Sequence, residues 1–195
     1  MKAVVVYLFS FLPLALFATI AAPLSTQNSD AVASMERKLY HVQMNGKLPH
    51  PDPEPTTFTE QEINAYLASG AVEFPAGVQS ARFQEQPGIV TAITRVDFDR
   101  LRAGINSSNP LLSILTGVHD VIVVSHAHGS GGKAFVHVDS VSLDGVEIPR
   151  FLLQLFIDKY LRPKYPQAGL DAQFVLPDKI DSALVGSHTL AVTQK

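Results

Sequence analysis

The segment from Pro149 to Pro163, PRFLLQLFIDKYLRP, most constrains the fold, because its apolar residues recur with the spacing of an α-helix. At about 100° per residue, five apolar side chains share an arc of about 140°. These five are Leu152, Leu153, Phe156, Ile157 and Tyr160, flanked by Phe151, Leu155 and Leu161. Pro149 favours a helix start, and Pro163 prevents the helix from continuing. The pattern predicts a long C-terminal helix whose apolar surface must be covered by protein or by a ligand.

The N-terminus has the pattern of a secretory signal peptide over residues 1–21. Lys2 precedes an apolar run over residues 3–20, and Thr19 and Ala21 are the small residues expected before a cleavage site. Pro13 inside the run favours cleavage over an uncleaved membrane anchor, which remains the alternative. We therefore expect an exported protein, periplasmic or extracellular, with the membrane surface of the cell envelope as a candidate partner.

Composition excludes several classes of protein. The sequence contains no cysteine, which rules out disulfides, thiolate metal sites and a cysteine nucleophile. Without residues 1–21 the chain has 14 basic and 18 acidic residues, a net charge near −4. This mild acidity argues against a nucleic-acid partner, which would require a basic surface. No G-x-S-x-G motif is present, and we expect neither an enzyme nor a cofactor.

Residues 22–57 are predicted to form a short helix and a proline-rich spacer ahead of the main domain. Val32, Met35, Leu39 and Val42 lie on one side of the helix. Prolines at positions 49, 51, 53 and 55 favour extended polyproline conformation. The remaining residues, 58–195, are predicted to fold as a single domain.

This domain begins with a well-specified helix and continues with antiparallel strands. Thr59 and Glu62 have the spacing of a capping box. Residues 89–98 alternate between two faces, and hairpin turns are expected at 86–88 and at the GSGG sequence, 129–132. The order of elements predicts an α+β fold with an antiparallel sheet covered mainly on one face.

Seven segments together resemble a known family of lipid-binding proteins. They are FTEQEIN, Pro75-Ala76-Gly77-Val78, VDFDRLR, LLSILTG, VSLDGVEIP, FLLQLFIDKYLRPKYP and AQFVLPDKI. In pattern and order they resemble small exported bacterial proteins related to periplasmic phospholipid-binding domains of the tubular lipid-binding (TULIP-like) superfamily. The resemblance implies a curved antiparallel β-sheet wrapped around one long C-terminal helix, plus a shorter N-terminal helix. It also implies a lipid or other amphiphile as ligand.

A groove between this helix and the sheet is the predicted binding site. The helix would contribute Leu152, Leu153, Phe156, Ile157 and Tyr160, and the inward strand positions would contribute Val96, Phe98, Val121 and Val123. Arg95, Arg100 and Arg102 are candidates for contact with a phosphate headgroup. Their alternative interpretation is that of solvated surface charges, which Asp97 and Asp99 already neutralise.

Three histidines offer a second, chemically different site. His126 and His128 form an H-x-H pair on one strand, so both imidazoles lie on the same face. If the hairpin turn is centred on Ser130-Gly131, His137 lies diagonally opposite His126 on that face. Such a cluster has the ligands that zinc or copper needs, but exposed hairpin histidines are the simpler interpretation.

The sequence thus favours an exported, non-enzymatic protein that binds a lipid or other amphiphile in an apolar groove. The first alternative is an envelope protein–protein interaction or assembly module that uses the apolar helix. The second alternative is a metal site on the hairpin 118–143. The sequence makes no prediction of oligomeric state.

Overall fold

The computed structural model describes residues 26–103, 116–162 and 169–195. Within these residues the chain forms nine strands of one antiparallel sheet and four short to medium helices. The helices are α1 (Thr26–Asn45), α2 (Glu60–Ala68), α3 (Phe98–Ala103) and α4 (Arg150–Phe156), and α4 continues into a π-helical turn at Ile157–Leu161. The strands are β1 (Thr56–Thr59), β2 (Val78–Gln86), β3 (Ile89–Asp97), β4 (Val118–Ser130), β5 (Lys133–Leu143), β6 (Val146–Glu147), β7 (Asp171–Val175), β8 (Ile180–Val185) and β9 (Thr189–Gln194).

The sheet is organised around the long strand β4. β3 pairs with one edge of β4 as far as His126, and β5 pairs with the other edge. Beyond the end of β3, Gly129 of β4 pairs with Ala183 of β8, and the sheet continues through β9 to β1. A Cβ atom at Gly129 would lie 2.7 Å from the Cβ of Ala183, so glycine permits this close approach.

The predicted long C-terminal helix, and with it the predicted fold of a sheet wrapped around that helix, is wrong. α4 has seven residues, and the Arg162 N–H then donates to the Ile157 carbonyl five residues earlier, at 2.9 Å. The longest helix among the described residues is instead the N-terminal α1, with 20 residues. Among the described side chains of this segment only that of Ile157 is buried, so too little of its apolar surface packs on the sheet for the sheet to wrap around it.

Three hydrophobic clusters hold the helices against the inner face of the sheet. In the first, α1 contributes Met35, Leu39 and Val42, which pack with Phe58, Tyr66, Ile180 and Val192. In the second, Leu67 of α2 packs with Phe83, Val90, Ala127 and Val185. In the third, Ile157 packs with Val138 and Leu170 at the other end of the sheet.

Helix α1 therefore shares a hydrophobic core with residues of the predicted domain 58–195. The helical spacing of Met35, Leu39 and Val42 correctly indicated its apolar side, and this side packs on the sheet. The predicted capping box is confirmed: the Glu62 N–H donates to the Thr59 hydroxyl at 3.2 Å, and the Thr59 N–H donates to the Glu62 carboxylate at 2.8 Å.

The predicted signal peptide, residues 1–21, lies outside the described residues. None of the helices in the described ranges is both long enough and apolar enough to cross a membrane.

Candidate functional site

A small, partly enclosed cavity lies between helices α1 and α2 and the inner face of the sheet. Its volume is about 70 Å³. All but two of its lining residues are apolar or aromatic: Met35, Leu39, Val42, Phe58, Ile63, Tyr66, Leu67, Phe83, Val90, Ile180, Val185, Leu190 and Val192, with Glu85 and Asp178 as the exceptions. The apolar part of such a lining can accept an apolar guest.

Glu85 brings a carboxyl group into this otherwise apolar wall. The residue is only 4% exposed, and its Oε2 atom has no hydrogen-bond partner among the described residues. Burial disfavours the charged form, and the negative charge of neighbouring Glu60 disfavours it further, which together raise the pKa of Glu85 to about 7. The cavity thus has a polar end that changes its charge near neutral pH.

Glu60 and His188 connect Glu85 to the surface. The His188 ring, through Nδ1, lies 2.7 Å from the Glu60 carboxylate, and the Glu85 N–H donates to the same carboxylate at 3.2 Å. Backbone hydrogen bonds join the same three residues, since the Glu60 N–H donates to the His188 carbonyl and the His188 N–H donates to the Glu85 carbonyl. Burial, the largest single effect, would raise the pKa of Glu60, but the hydrogen bonds that it accepts from His188 and from the Glu85 N–H, together with the attraction of His188, lower the pKa overall. The start of α2, the end of β2 and the β8–β9 turn therefore meet at one polar cluster.

The groove residues predicted from sequence are divided between different parts of the structure. Ile157 packs with Val138 in one hydrophobic cluster, and Leu153, Val123 and Val141 pack against that cluster. Leu152 is exposed, and the side chain of Tyr160 lies outside the described residues. Phe156 and Val121 are half-buried, whereas Val96 and Phe98 are buried near the end of β3.

The flanking residues of the C-terminal segment remain accessible. Phe151 is 71% exposed and Leu155 is 46% exposed, whereas the side chain of Leu161 lies outside the described residues. Arg150 fixes the start of α4 by donating a hydrogen bond to the Val138 carbonyl at 3.0 Å. Helix α4 is thus attached to the sheet by one narrow side, and its opposite side is apolar and exposed.

Two of the three candidate headgroup arginines have acidic neighbours. Arg95 lies 3.8 Å from Asp120, and Arg100 lies 3.6 Å from Asp97. The side chain of Arg102 lies outside the described residues. These ion pairs are largely exposed, which fits surface charges that contribute little to stability.

The hairpin histidines lie on the exposed outer face of the sheet. His126 pairs directly with His137, not diagonally as predicted. The His126 imidazole lies 2.8 Å from the Asp139 carboxylate, and the His137 imidazole contacts Asp171 and also lies 3.9 Å from Asp139. His128 instead stacks on Phe135, with ring centroids 5.0 Å apart. Across the described ranges, no three histidine or acidic side chains are grouped so that they could hold a metal ion.

The sequence analysis missed Glu85. A signal was present, because Glu85 follows Ala81 and Phe83 at the inward positions of β2, where a charged side chain is unusual. Comparison with family models, with curated proteins and with solved structures gave no match. The site is therefore interpreted from its own geometry.

Proposed function

We propose that this protein binds a lipid or other amphiphile, with the apolar part of the ligand in the cavity between α1, α2 and the sheet. The observation that carries the proposal is the cavity itself, which is partly enclosed, apolar on nearly all sides and bounded by a helix packed on a sheet. Small-molecule sites are commonly concave and mostly apolar, with a few polar groups that fix orientation. The Glu85 carboxyl is such a group.

Helix α1 is the wall that would move to admit a longer chain. The cavity of about 70 Å³ has room for a short alkyl segment only. Three apolar residues of α1 cover it: Met35, Leu39 and Val42. If a ligand chain replaced them, each buried methylene of the ligand would contribute roughly 0.8 kcal/mol to the free energy of binding. The apolar surface of the ligand would thus take the place of the apolar side of α1 against the cavity.

Export remains part of this proposal. The apolar run over residues 3–20 favours a periplasmic or extracellular protein, where free amphiphiles and membrane surfaces are available. The resemblance to the tubular lipid-binding superfamily points to the same class of ligand.

A fluorescent amphiphile tests the proposal when it is titrated into the purified protein. We expect Val192→Phe, which enlarges a buried lining residue, to weaken binding at least tenfold because the ring occupies the cavity. Val175→Phe is the matched control, since Val175 is 70% exposed on β7 and should leave binding unchanged. Circular dichroism checks that both variants fold. Failure of the wild-type protein to take up the probe, together with lipid extraction that recovers no amphiphile, would contradict the proposal.

The exposed side of α4 supports a second candidate function, that of an interaction module. Phe151, Leu155 and Val146 form large exposed apolar surface, which in monomeric proteins often marks a protein contact.

We expect Phe151→Asp to change the free energy of unfolding by less than about 0.5 kcal/mol and to weaken self-association. Sedimentation equilibrium measures the association. Ile157→Asp is the contrasting variant, because Ile157 is buried and an aspartate there should unfold the protein. A wild-type protein that is monomeric at all concentrations would exclude self-association as this function.

A further inference from the structure

The Glu85 carboxyl marks the polar end of the cavity between α1, α2 and the sheet. A buried hydrogen-bond acceptor without a partner is unfavourable, and a native structure normally supplies one. In the described part of the protein nothing donates to Oε2 of Glu85. A ligand that donated a hydrogen bond there would satisfy this atom and orient its own apolar chain into the cavity.

The charges around this end of the cavity are negative. Glu60 lies next to Glu85, and the hydrogen bond to His188 favours its ionised form. Asp178 also lines the cavity, and no lysine, arginine or histidine is among the lining residues. Two basic side chains near this end each have an acidic partner: Lys38 lies 2.7 Å from Glu62, and His188 lies 2.7 Å from Glu60. An anionic headgroup would therefore be repelled, whereas a cationic or neutral donor would not.

We propose that Glu85 receives the headgroup of the bound amphiphile and that this headgroup is a hydrogen-bond donor without negative charge, either a primary ammonium or a hydroxyl group. The inference rests on the proposed function, because it assigns the ligand class of the same cavity. An ammonium group would form an ion pair with the Glu85 carboxylate in a poorly solvated site, where such an interaction is strong. A hydroxyl group would donate to either protonation state of the carboxyl.

Three short-chain probes with the same alkyl part and different headgroups test this: hexylamine, 1-hexanol and hexanoate. At pH 8 we expect calorimetry on the full chain to give hexylamine at least a tenfold higher affinity than hexanoate. Glu85→Gln keeps the shape of the side chain and removes its charge, so it should reduce hexylamine affinity at least tenfold and change 1-hexanol affinity less than threefold. Glu73→Gln is the matched control, since Glu73 also has a buried oxygen without a partner but does not line the cavity.

The pH dependence of the wild-type protein gives a second test that needs no variant to fold. The pKa of Glu85 is raised to about 7, first by burial and then by the charge of Glu60. Hexylamine affinity should therefore fall by up to tenfold per pH unit below 7, while 1-hexanol affinity stays constant. Tyr66 and Asp178 also line the cavity, and His188 lies behind Glu60. His188→Gln should retain the pH dependence if Glu85 is its source.

The outcomes separate this inference from the proposed function. Equal affinity for hexylamine and hexanoate, or a preference for hexylamine that survives in Glu85→Gln, would overturn the assignment of the headgroup and leave amphiphile binding intact. Binding of none of the three probes would overturn both.

Discussion

Glu62→Ala is expected to lower the free energy of unfolding by about 3 kcal/mol, because one carboxylate joins three parts of the structure. It accepts hydrogen bonds from the Lys38 ammonium at 2.7 Å and from the Ser34 hydroxyl at 2.5 Å, both on α1. It also accepts from the Thr59 N–H at 2.8 Å, completing the capping box of α2. The substitution removes the contact between the two helices and the cap at once. Urea denaturation measures the loss.

Two further variants separate these contributions. Glu62→Gln retains an oxygen for the Thr59 N–H but loses the charge that faces Lys38. We therefore expect it to lower the free energy of unfolding by about half as much as Glu62→Ala does. Glu36→Ala, on the exposed side of α1, is the control and should cost less than about 0.5 kcal/mol. A Glu62→Ala protein as stable as the Glu36→Ala protein would contradict the prediction.

Acid should remove the same contribution. Burial alone would raise the pKa of Glu62, but the hydrogen bonds from Lys38, Ser34 and the Thr59 backbone outweigh it and lower the pKa to about 2. A lowered pKa in the folded state means that the stabilisation is complete above the ordinary value of 4.5 and is lost as the pH falls from there through about 2. The stability difference between the wild type and Glu62→Gln should therefore shrink across this range.

Gly46→Ala is expected to destabilise the protein by a similar amount, about 3 kcal/mol. A Cβ atom on Gly46 would lie 2.3 Å from the carbonyl oxygen of Asp178 and 2.7 Å from its carbonyl carbon. Because both are backbone atoms, no change of side-chain rotamer relieves the overlap. Either the end of α1 or the loop before β8 must move.

That movement would also break a buried network at the end of α1. The Asn45 amide donates to the Gln194 side chain at 2.8 Å, and the Gln194 amide donates to the carbonyls of Val42 and Asp178 at 2.8 and 2.6 Å. Gly70→Ala is the comparison: Gly70 has φ +79° but open space around it, so only the left-handed backbone is strained, at about 1 kcal/mol. Thermal unfolding of the two variants gives the difference, and equal losses would show that the close approach at Gly46 is easily relieved.

Short-range signals in the sequence predicted local structure well. The spacing of Thr59 and Glu62 specified the start of α2, and the alternation over residues 89–98 gave strand β3, although Phe98 begins helix α3 instead of ending the strand. These signals depend on neighbouring residues alone. At these elements the tertiary contacts agree with the local signals.

The hairpin register failed for a specific reason. The turn residues are Gly131 and Gly132, with φ of 59° and 73°, because the tight turn that matches the twist of the strands requires two left-handed residues. Centring the turn on Ser130-Gly131 moved the pairings between the turn and Ser125 by two positions, so His126 faced residue 135 instead of His137. In this part of the hairpin the faces of the strands were still predicted correctly, since a shift of two preserves them. The irregular register between Val124 and Ser125 changes the pairings beyond it by one more position.

The position of the cavity was beyond the reach of sequence patterns. The spacing of apolar residues indicated that the segment 149–163 has a large apolar surface. How much of that surface the sheet buries depends on the size of the sheet, which the spacing does not specify. Glu85 belongs to a polar cluster only because β2, α2 and the β8–β9 turn meet in the folded protein. Each of these contacts joins residues far apart in the chain, and local spacing carries no information about them.

The pairing of β1 with β9 has a consequence for how the molecule is made. Because β1 bonds only to β9 within the described sheet, and Asn45 bonds to Gln194 at a separation of 149 residues, the first strand of this sheet depends on the last. Closing such a large loop is costly in entropy and slows folding. During synthesis α1 meets α2 early, but Ile180 and Val192, which complete its hydrophobic cluster, are added near the end. Until then part of the apolar side of α1 is free for a chaperone, a translocation apparatus or the first ligand molecule to occupy.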